Sequence, residues 1–169
     1  MGVQTAISID DYLRTSFPDL DKEFRDGELV ERSMPDYLHG KIQLRLGVFF
    51  MALSKRLALF PSSEARLLLS PRRALIPDIA VFHPEEPQGI PTTPPLVVIE
   101  ILSVDDRLSE VREKLREYHA WGIPHVWLIM PHQSPRSRRF YTCEERLNEA
   151  VSLTIPELGV ELTQAALFD

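Results

Sequence analysis

Residues 96–130 read LVVIEILSVDDRLSEVREKLREYHAWGIPHVWLIM, and this stretch decides the fold. Leu96 to Leu102 is an apolar run with one carboxylate, Glu100, as expected of a central strand covered on both faces. From Arg107 to about Trp121, the apolar positions Leu108, Val111, Leu115 and Tyr118 recur at helical spacing, and Gly122 with Pro124 marks the stop. A second apolar run, His125 to Met130, follows at once. Strand, helix and strand in this order form a parallel crossover, so the chain reads as an α/β (α+β) fold with a mixed sheet flanked by helices.

Working outward, Ser8 caps a short helix through Asp10, Asp11, Tyr12 and Leu13 that ends before Pro18. Asp26-Gly27 suits the two-residue turn of a hairpin between Glu23-Phe24-Arg25 and Glu28-Leu29-Val30-Glu31. After Pro35, Leu38, Ile42, Leu46, Phe49, Phe50 and Leu53 line one face of a helix running to about Leu59. Strands are expected over Ala65–Leu69 and Ala74–Phe82, the second interrupted by Pro77. Phe140–Thr142 and Val151–Ile155 read as edge strands on the far side of the sheet, and Leu158–Phe168 is left without an assigned form. No repeat or composition break divides residues 1–169, so one domain is expected.

The net charge of -6 excludes a chain-wide basic surface, so any nucleic-acid contact has to be local. Arg136, Arg138 and Arg139 form the clearest basic cluster, readable as a phosphate contact or as a solvated loop. No run approaches the ~20 apolar residues of a membrane span, and Asp10 and Asp11 stand where a signal peptide is basic and then apolar, so a soluble cytoplasmic protein is expected. The single cysteine, Cys143, has no nearby histidine at a ligand spacing, and no two of the five histidines share a ligand spacing on one helix.

Chemistry is carried by charges that break apolar patterns. Asp78 interrupts Leu75-Ile76-Pro77 and Ile79-Ala80-Val81 just as Glu100 interrupts its strand. A buried charge costs several kcal/mol unless it is paired or binds a metal, so two such carboxylates invite a shared cation. A hard divalent ion such as Mg²⁺ takes one or two carboxylates and keeps several waters, which Asp78 and Glu100 can satisfy. Lys114, three residues after Val111 and four before Tyr118, sits at the margin of the helix face that packs on the sheet. From there it can orient or deprotonate an activated water and stabilise developing negative charge. Two other readings stay open: a Glu100–Lys114 ion pair without metal, and a solvated Lys114 bonded to Glu110. Asp105 and Asp106 read as capping residues for the following helix.

Pro77-Asp78, Glu100-Ile101-Leu102-Ser103, Glu113-Lys114 with Tyr118, Gly122-Ile123-Pro124 and Trp127-Leu128-Ile129 together resemble the Uma2 (DUF820) family of PD-(D/E)XK nuclease-like proteins. The resemblance extends upstream through Asp26-Gly27-Glu28-Leu29-Val30-Glu31 and His39. It implies a restriction-endonuclease-like core and a metal-dependent DNA endonuclease, with Asp78, Glu100 and the Ile101 carbonyl as ligands of Mg²⁺ or Mn²⁺. Glu31 and His39 would support the ligands or contact phosphate. The lysine of the parent motif, expected two residues after the acid, is replaced by Leu102, and the resemblance implies that Lys114 substitutes for it from the helix. A homodimer acting on nucleic acid is expected, since a two-fold axis presents two sites to two strands. The alternative from another class is a catalytically degenerate nuclease fold kept as a binding or assembly module.

Overall fold

The computed structural model describes residues 6–131 and 137–169. Arg136 of the basic cluster and His132 lie outside the described residues.

Helix α1 (Ile9–Arg14) begins at Ser8, whose hydroxyl accepts from Asp11 N. Strands β1 (Glu23–Arg25) and β2 (Glu28–Val30) pair antiparallel across Asp26 and Gly27, whose φ angles of 52° and 93° are what a tight hairpin turn of this hand requires. Helix α2 (Tyr37–Leu57) starts at Asp36, which caps His39 N at 2.8 Å, and ends at Ala58 in the left-handed region.

Strand β3 (Phe60–Ser63) follows directly, where the periodicity alone gave only a helix end. The expected pair of strands becomes three, β4 (Leu67–Ser70), β5 (Arg73–Leu75) and β6 (Ile79–Phe82). Pro77 is the cause, because it has no N–H for a ladder and so separates β5 from β6, which enter different sheets. Strand β7 (Val97–Ile101), helix α3 (Leu108–Trp121) and strand β8 (His125–Met130) form the predicted crossover, with β7 and β8 parallel. Gly122, at φ 102°, closes α3 in a conformation that favours glycine.

The main sheet has the order β10-β9-β8-β7-β6-β3, with β9 (Arg139–Cys143) and β10 (Leu147–Ala150) continuing it antiparallel. The expectation that Val151–Ile155 lies at its far edge is corrected. β11 (Ser152–Ile155) pairs instead with β12 (Val160–Thr163) in a separate two-stranded sheet, followed by helix α4 (Gln164–Phe168). Leu153, Ile155 and Leu162 join the core beneath α2, so burial rather than edge pairing claims them.

Parity along β7 divides the interior. Val97, Ile99 and Ile101 face α2 with Ile42, Leu46 and Phe50, whereas Val98 faces α3 with Leu115 and Tyr118. Each apolar side chain so buried stabilises the fold by roughly 1.5–3 kcal/mol. A third, smaller core holds Tyr12, Phe24 and Ala74 under the four-stranded sheet β2-β1-β5-β4. Glu100 has the parity of Val98, so its carboxylate is delivered to the α3 side of the sheet. No described helix is long and apolar enough to cross a membrane.

Candidate active site and metal centre

The antiparallel register of β6 and β7 pairs Ile79 with Ile99, so one step further Asp78 stands opposite Glu100. Directly opposed residues have Cβ atoms only ~4.5–5.5 Å apart. Pro77 would face Ile101 in the same register and offers no N–H, so the ladder ends there. Asp78 Oδ2 takes the Ile101 N–H at 2.7 Å instead. In an extended strand a residue's C=O leaves on the same edge as its N–H, so the Ile101 carbonyl is also directed toward Asp78.

Lys114 Nζ lies 2.8 Å from Glu100 Oε1, 2.7 Å from Glu23 Oε1 and 2.7 Å from Ile76 O, which uses all three ammonium protons. Of the two partners the sequence offered, Glu100 and Glu110, the structure takes Glu100, and it adds Glu23. Burial opposes the charge on Lys114, but Glu100, Glu23 and Asp78 outweigh it and hold the pKa above the ordinary lysine value. The three acids thus favour the charged form of Lys114, which suits the orienting and charge-stabilising roles considered from the sequence. Tyr118 OH donates to Glu100 Oε1 at 3.1 Å, its proton secured by burial and by that same carboxylate.

Burial, with the negative charges of Asp78 and Glu23, pushes Glu100 up to about 7 despite Lys114. Burial also opposes ionisation of Asp78, yet its hydrogen bond to His39, the charges of His39 and Lys114, and the Ile101 N–H hold it below the usual aspartate value.

His39, buried at the start of α2, places Nε2 3.2 Å from Asp78 Oδ2. Burial works against its protonation, but Asp78 overcomes this and raises its pKa. Arg32 reaches Asp78 Oδ1 at 3.4 Å and Glu64 Oε2 at 3.6 Å. Gln43 Nε2 donates to Asp78 O at 3.0 Å. Glu31, by contrast, has its carboxylate 83% exposed and paired with Lys22 at 2.8 Å, on the pocket rim rather than at the two acids. Asp106 accepts from Ser103 N at 2.7 Å, tying down the turn after β7, while α3 begins at Arg107 without a side-chain cap.

These groups line a cavity of about 190 Å³ whose wall includes Glu23, Arg32, His39, Asp78, Glu100 and Lys114. Three buried carboxylates, Glu23, Asp78 and Glu100, crowd together with the cations Lys114, Arg32 and Arg25, and His39 adds positive charge when protonated. Two opposed carboxylates and a carbonyl on the same edge fit a hard divalent ion. Among the described residues no group of three or more His, Cys, Asp and Glu side chains is arranged to hold a metal, which leaves no zinc-type cage. Arg32 Nη1, ion-paired with Glu64, and His39 Nδ1 are buried without a hydrogen-bond partner among the described residues.

This fold is that of a restriction-endonuclease-like protein. Over residues 9–165 the chain matches the Uma2 family, described as "Putative restriction endonuclease", and it belongs to that family. Its architecture is similar to the crystal structure of a "putative nuclease belonging to DUF820" from Anabaena variabilis ATCC 29413, with a TM-score of 0.78, 21% identity, and coverage of 96% of this chain and 97% of that one. No curated protein matches the chain.

Sequence reasoning missed Glu23, Arg32 and Gln43. Glu23 sits in a three-residue strand whose Phe24 faces the small N-terminal core, so Glu23 falls on the opposite side and turns inward to Lys114 and Ile76 N. Its only local signal was a charge alternating with Phe24, which a solvated hairpin shows equally. Arg138 lies over the Phe168 ring at 4.5 Å, and Arg139 pairs with Glu149 at 2.9 Å, so both engage groups remote from the acid pair.

Proposed function

We propose that this chain is a metal-dependent endonuclease that hydrolyses phosphodiester bonds in DNA, with Asp78, Glu100 and the Ile101 carbonyl holding Mg²⁺ or Mn²⁺. The observation that carries the reading is the direct opposition of Asp78 and Glu100 at the floor of a cavity, beside a lysine locked in place. The ion, when bound, would supply Lewis-acid activation of water and neutralise charge on the scissile phosphate.

The chain's own residues do the rest. The Ile101 N–H and His39 aim Asp78, while Tyr118 and Lys114 aim Glu100. Lys114 brings positive charge beside the reacting phosphate, where it stabilises the transition state. Arg32 and His39, which line the cavity beside Asp78, would meet phosphate oxygens. Leu102, in the position of the parent motif's lysine, packs into the α3-side core, and Lys114 brings a cation to the acids from α3. The family's description, restriction endonuclease, supports DNA as the substrate and a two-fold dimer as the acting form.

Purified protein with Mn²⁺ is expected to nick or linearise plasmid DNA, and Asp78→Ala and Glu100→Ala to lose on the order of 10³-fold or more of that rate. Equal cleavage by wild type, both acid variants and Lys114→Ala would sink the reading. The Glu100–Lys114 pair itself favours one competitor, a degenerate fold used as a binding module. Calorimetric titration with Mn²⁺ separates them: binding that Asp78→Ala abolishes supports the nuclease, and no binding supports the module.

A further inference from the structure

Helix α2 carries a second apolar face. Opposite Ile42, Leu46 and Phe50, the side chains of Tyr37, Leu44, Val48 and Met51 are 84%, 70%, 62% and 60% exposed. Leu44, Val48 and Met51 follow at steps of four and three residues, with Tyr37 two turns before Leu44, a stripe that a surface helix without a partner has no reason to keep. Gly40 and Gly47 interleave it. A Cβ added at either would meet nothing within 4 Å, and neither has a positive φ, so the isolated fold has no use for them there. Glycine is nevertheless among the poorest residues for a helix interior. What the two glycines do provide is room for a second backbone to approach. Beside the stripe runs an apolar groove walled by α2 and by β3, the edge strand of the main sheet.

We propose that this face docks α2 of a second copy of the chain, antiparallel, about a two-fold axis passing between Arg45 and Leu46. In that register Leu44 meets the partner's Gly47 and Met51 meets the partner's Gly40, so each large side chain faces a glycine gap. The same register sets Asp36 against the partner's Lys55. Both residues are exposed, and neither is in an ion pair among the described residues. The charges therefore select the register that the glycines select, and one two-fold axis satisfies both contacts twice. An apolar stripe of this kind suits a protein surface and not a phosphate backbone.

The interface deepens the two-fold arrangement proposed above and rests on that dimer, not on the cleavage chemistry. At ~1.5 Å of rise per residue, this register sets the two His39 residues about 20 Å apart along the helix axes. A single helix pair falls short of the roughly 800 Å² per partner of a standard interface, so the dimer is concentration-dependent, in the micromolar range.

Sedimentation equilibrium from about 1 to about 200 µM tests it. Wild type is expected to pass from monomer to dimer, and Leu44→Glu and Gly47→Leu to raise Kd at least tenfold. Gly47→Leu should keep or raise Tm, because leucine favours the helix and its Cβ has open space, so lost association cannot be blamed on lost folding. Lys55→Glu should weaken the dimer, and adding Asp36→Asn, which retains a capping side chain, should restore part of it. A wild type that stays monomeric throughout overturns both the dimer and this surface. A dimer whose Kd is unchanged in Leu44→Glu and Gly47→Leu overturns the surface alone.

Discussion

Arg66 and Lys114 are both long cations drawn out of water, with 14% and 12% of their side chains exposed, yet their surroundings differ in charge. Arg66 is clamped by the Asp21 carboxylate, donates to the carbonyls of Tyr12, Leu13 and Thr15, and lies 4.6 Å over the Tyr12 ring. One charge meets one charge, and the remaining donors meet neutral acceptors. Lys114 instead stands between Glu23 and Glu100, with Asp78 close behind, in a cluster of three buried carboxylates that lines a cavity. The first arrangement is complete, as a structural tie should be. The second crowds like charges beside open space, which a brace does not need.

The largest test of this contrast is to remove each cation. Lys114→Ala should cost about 3–5 kcal/mol in urea denaturation, because it leaves buried carboxylate charge uncompensated, and Arg66→Ala about 1–3 kcal/mol, because it unties three carbonyls and the partly exposed Asp21. Only Lys114→Ala should also slow Mn²⁺-dependent cleavage; a comparable loss of activity in folded Arg66→Ala would erase the distinction.

Glu23→Gln should have a smaller effect, about 10- to 100-fold on cleavage, since it loosens Lys114 without touching the acid pair. Normal Mn²⁺ affinity in this variant, by calorimetry, would mark Glu23 as a residue that positions Lys114 and not as a metal ligand. The variant also makes a pH prediction. Burial alone would raise the Glu23 pKa, but Lys114, the Ile76 N–H and Arg25 bring it below the ordinary value of 4.5. A group depressed in the folded state contributes stability above its unfolded pKa and loses it as pH falls through the folded one. Wild-type stability should therefore drop below about pH 4.5 more steeply than that of Glu23→Gln. Parallel acid limbs would count against a buried Glu23–Lys114 pair.

The smallest effect is expected at Glu31, whose partner Lys22 is met at the surface. Glu31→Ala should change stability by no more than about 1 kcal/mol and leave cleavage intact. A strong loss of activity would move the functional boundary outward to the rim.

Legibility followed the same divide. Asp78 and Glu100 could be found because each breaks an apolar run, and a charge where burial is certain needs a reason. Glu23 and Arg32 could not, since short polar segments around a hairpin look alike whether they face water or a cavity. Val151–Ile155 was recognisable as a strand, but its alternation does not say which edge it joins, and β12 took it instead of β9. His39 was singled out beside a helix start, and only the packed structure shows it bonded to Asp78.

By itself the sequence determined the crossover of β7, α3 and β8, the Ser8-capped first helix, the hairpin and the identity of two buried carboxylates, Asp78 and Glu100. These follow from periodicity, turn chemistry and the cost of burying charge, all of which act over a few residues. The tertiary structure alone decided that Glu23, Asp78, Glu100 and Lys114 meet, that Lys114 is held between two buried acids, and that a second apolar face of α2 is left in solvent. Such encounters join positions far apart in the chain, and they depend on strand register and on how the helices pack across the sheet, which no local pattern encodes.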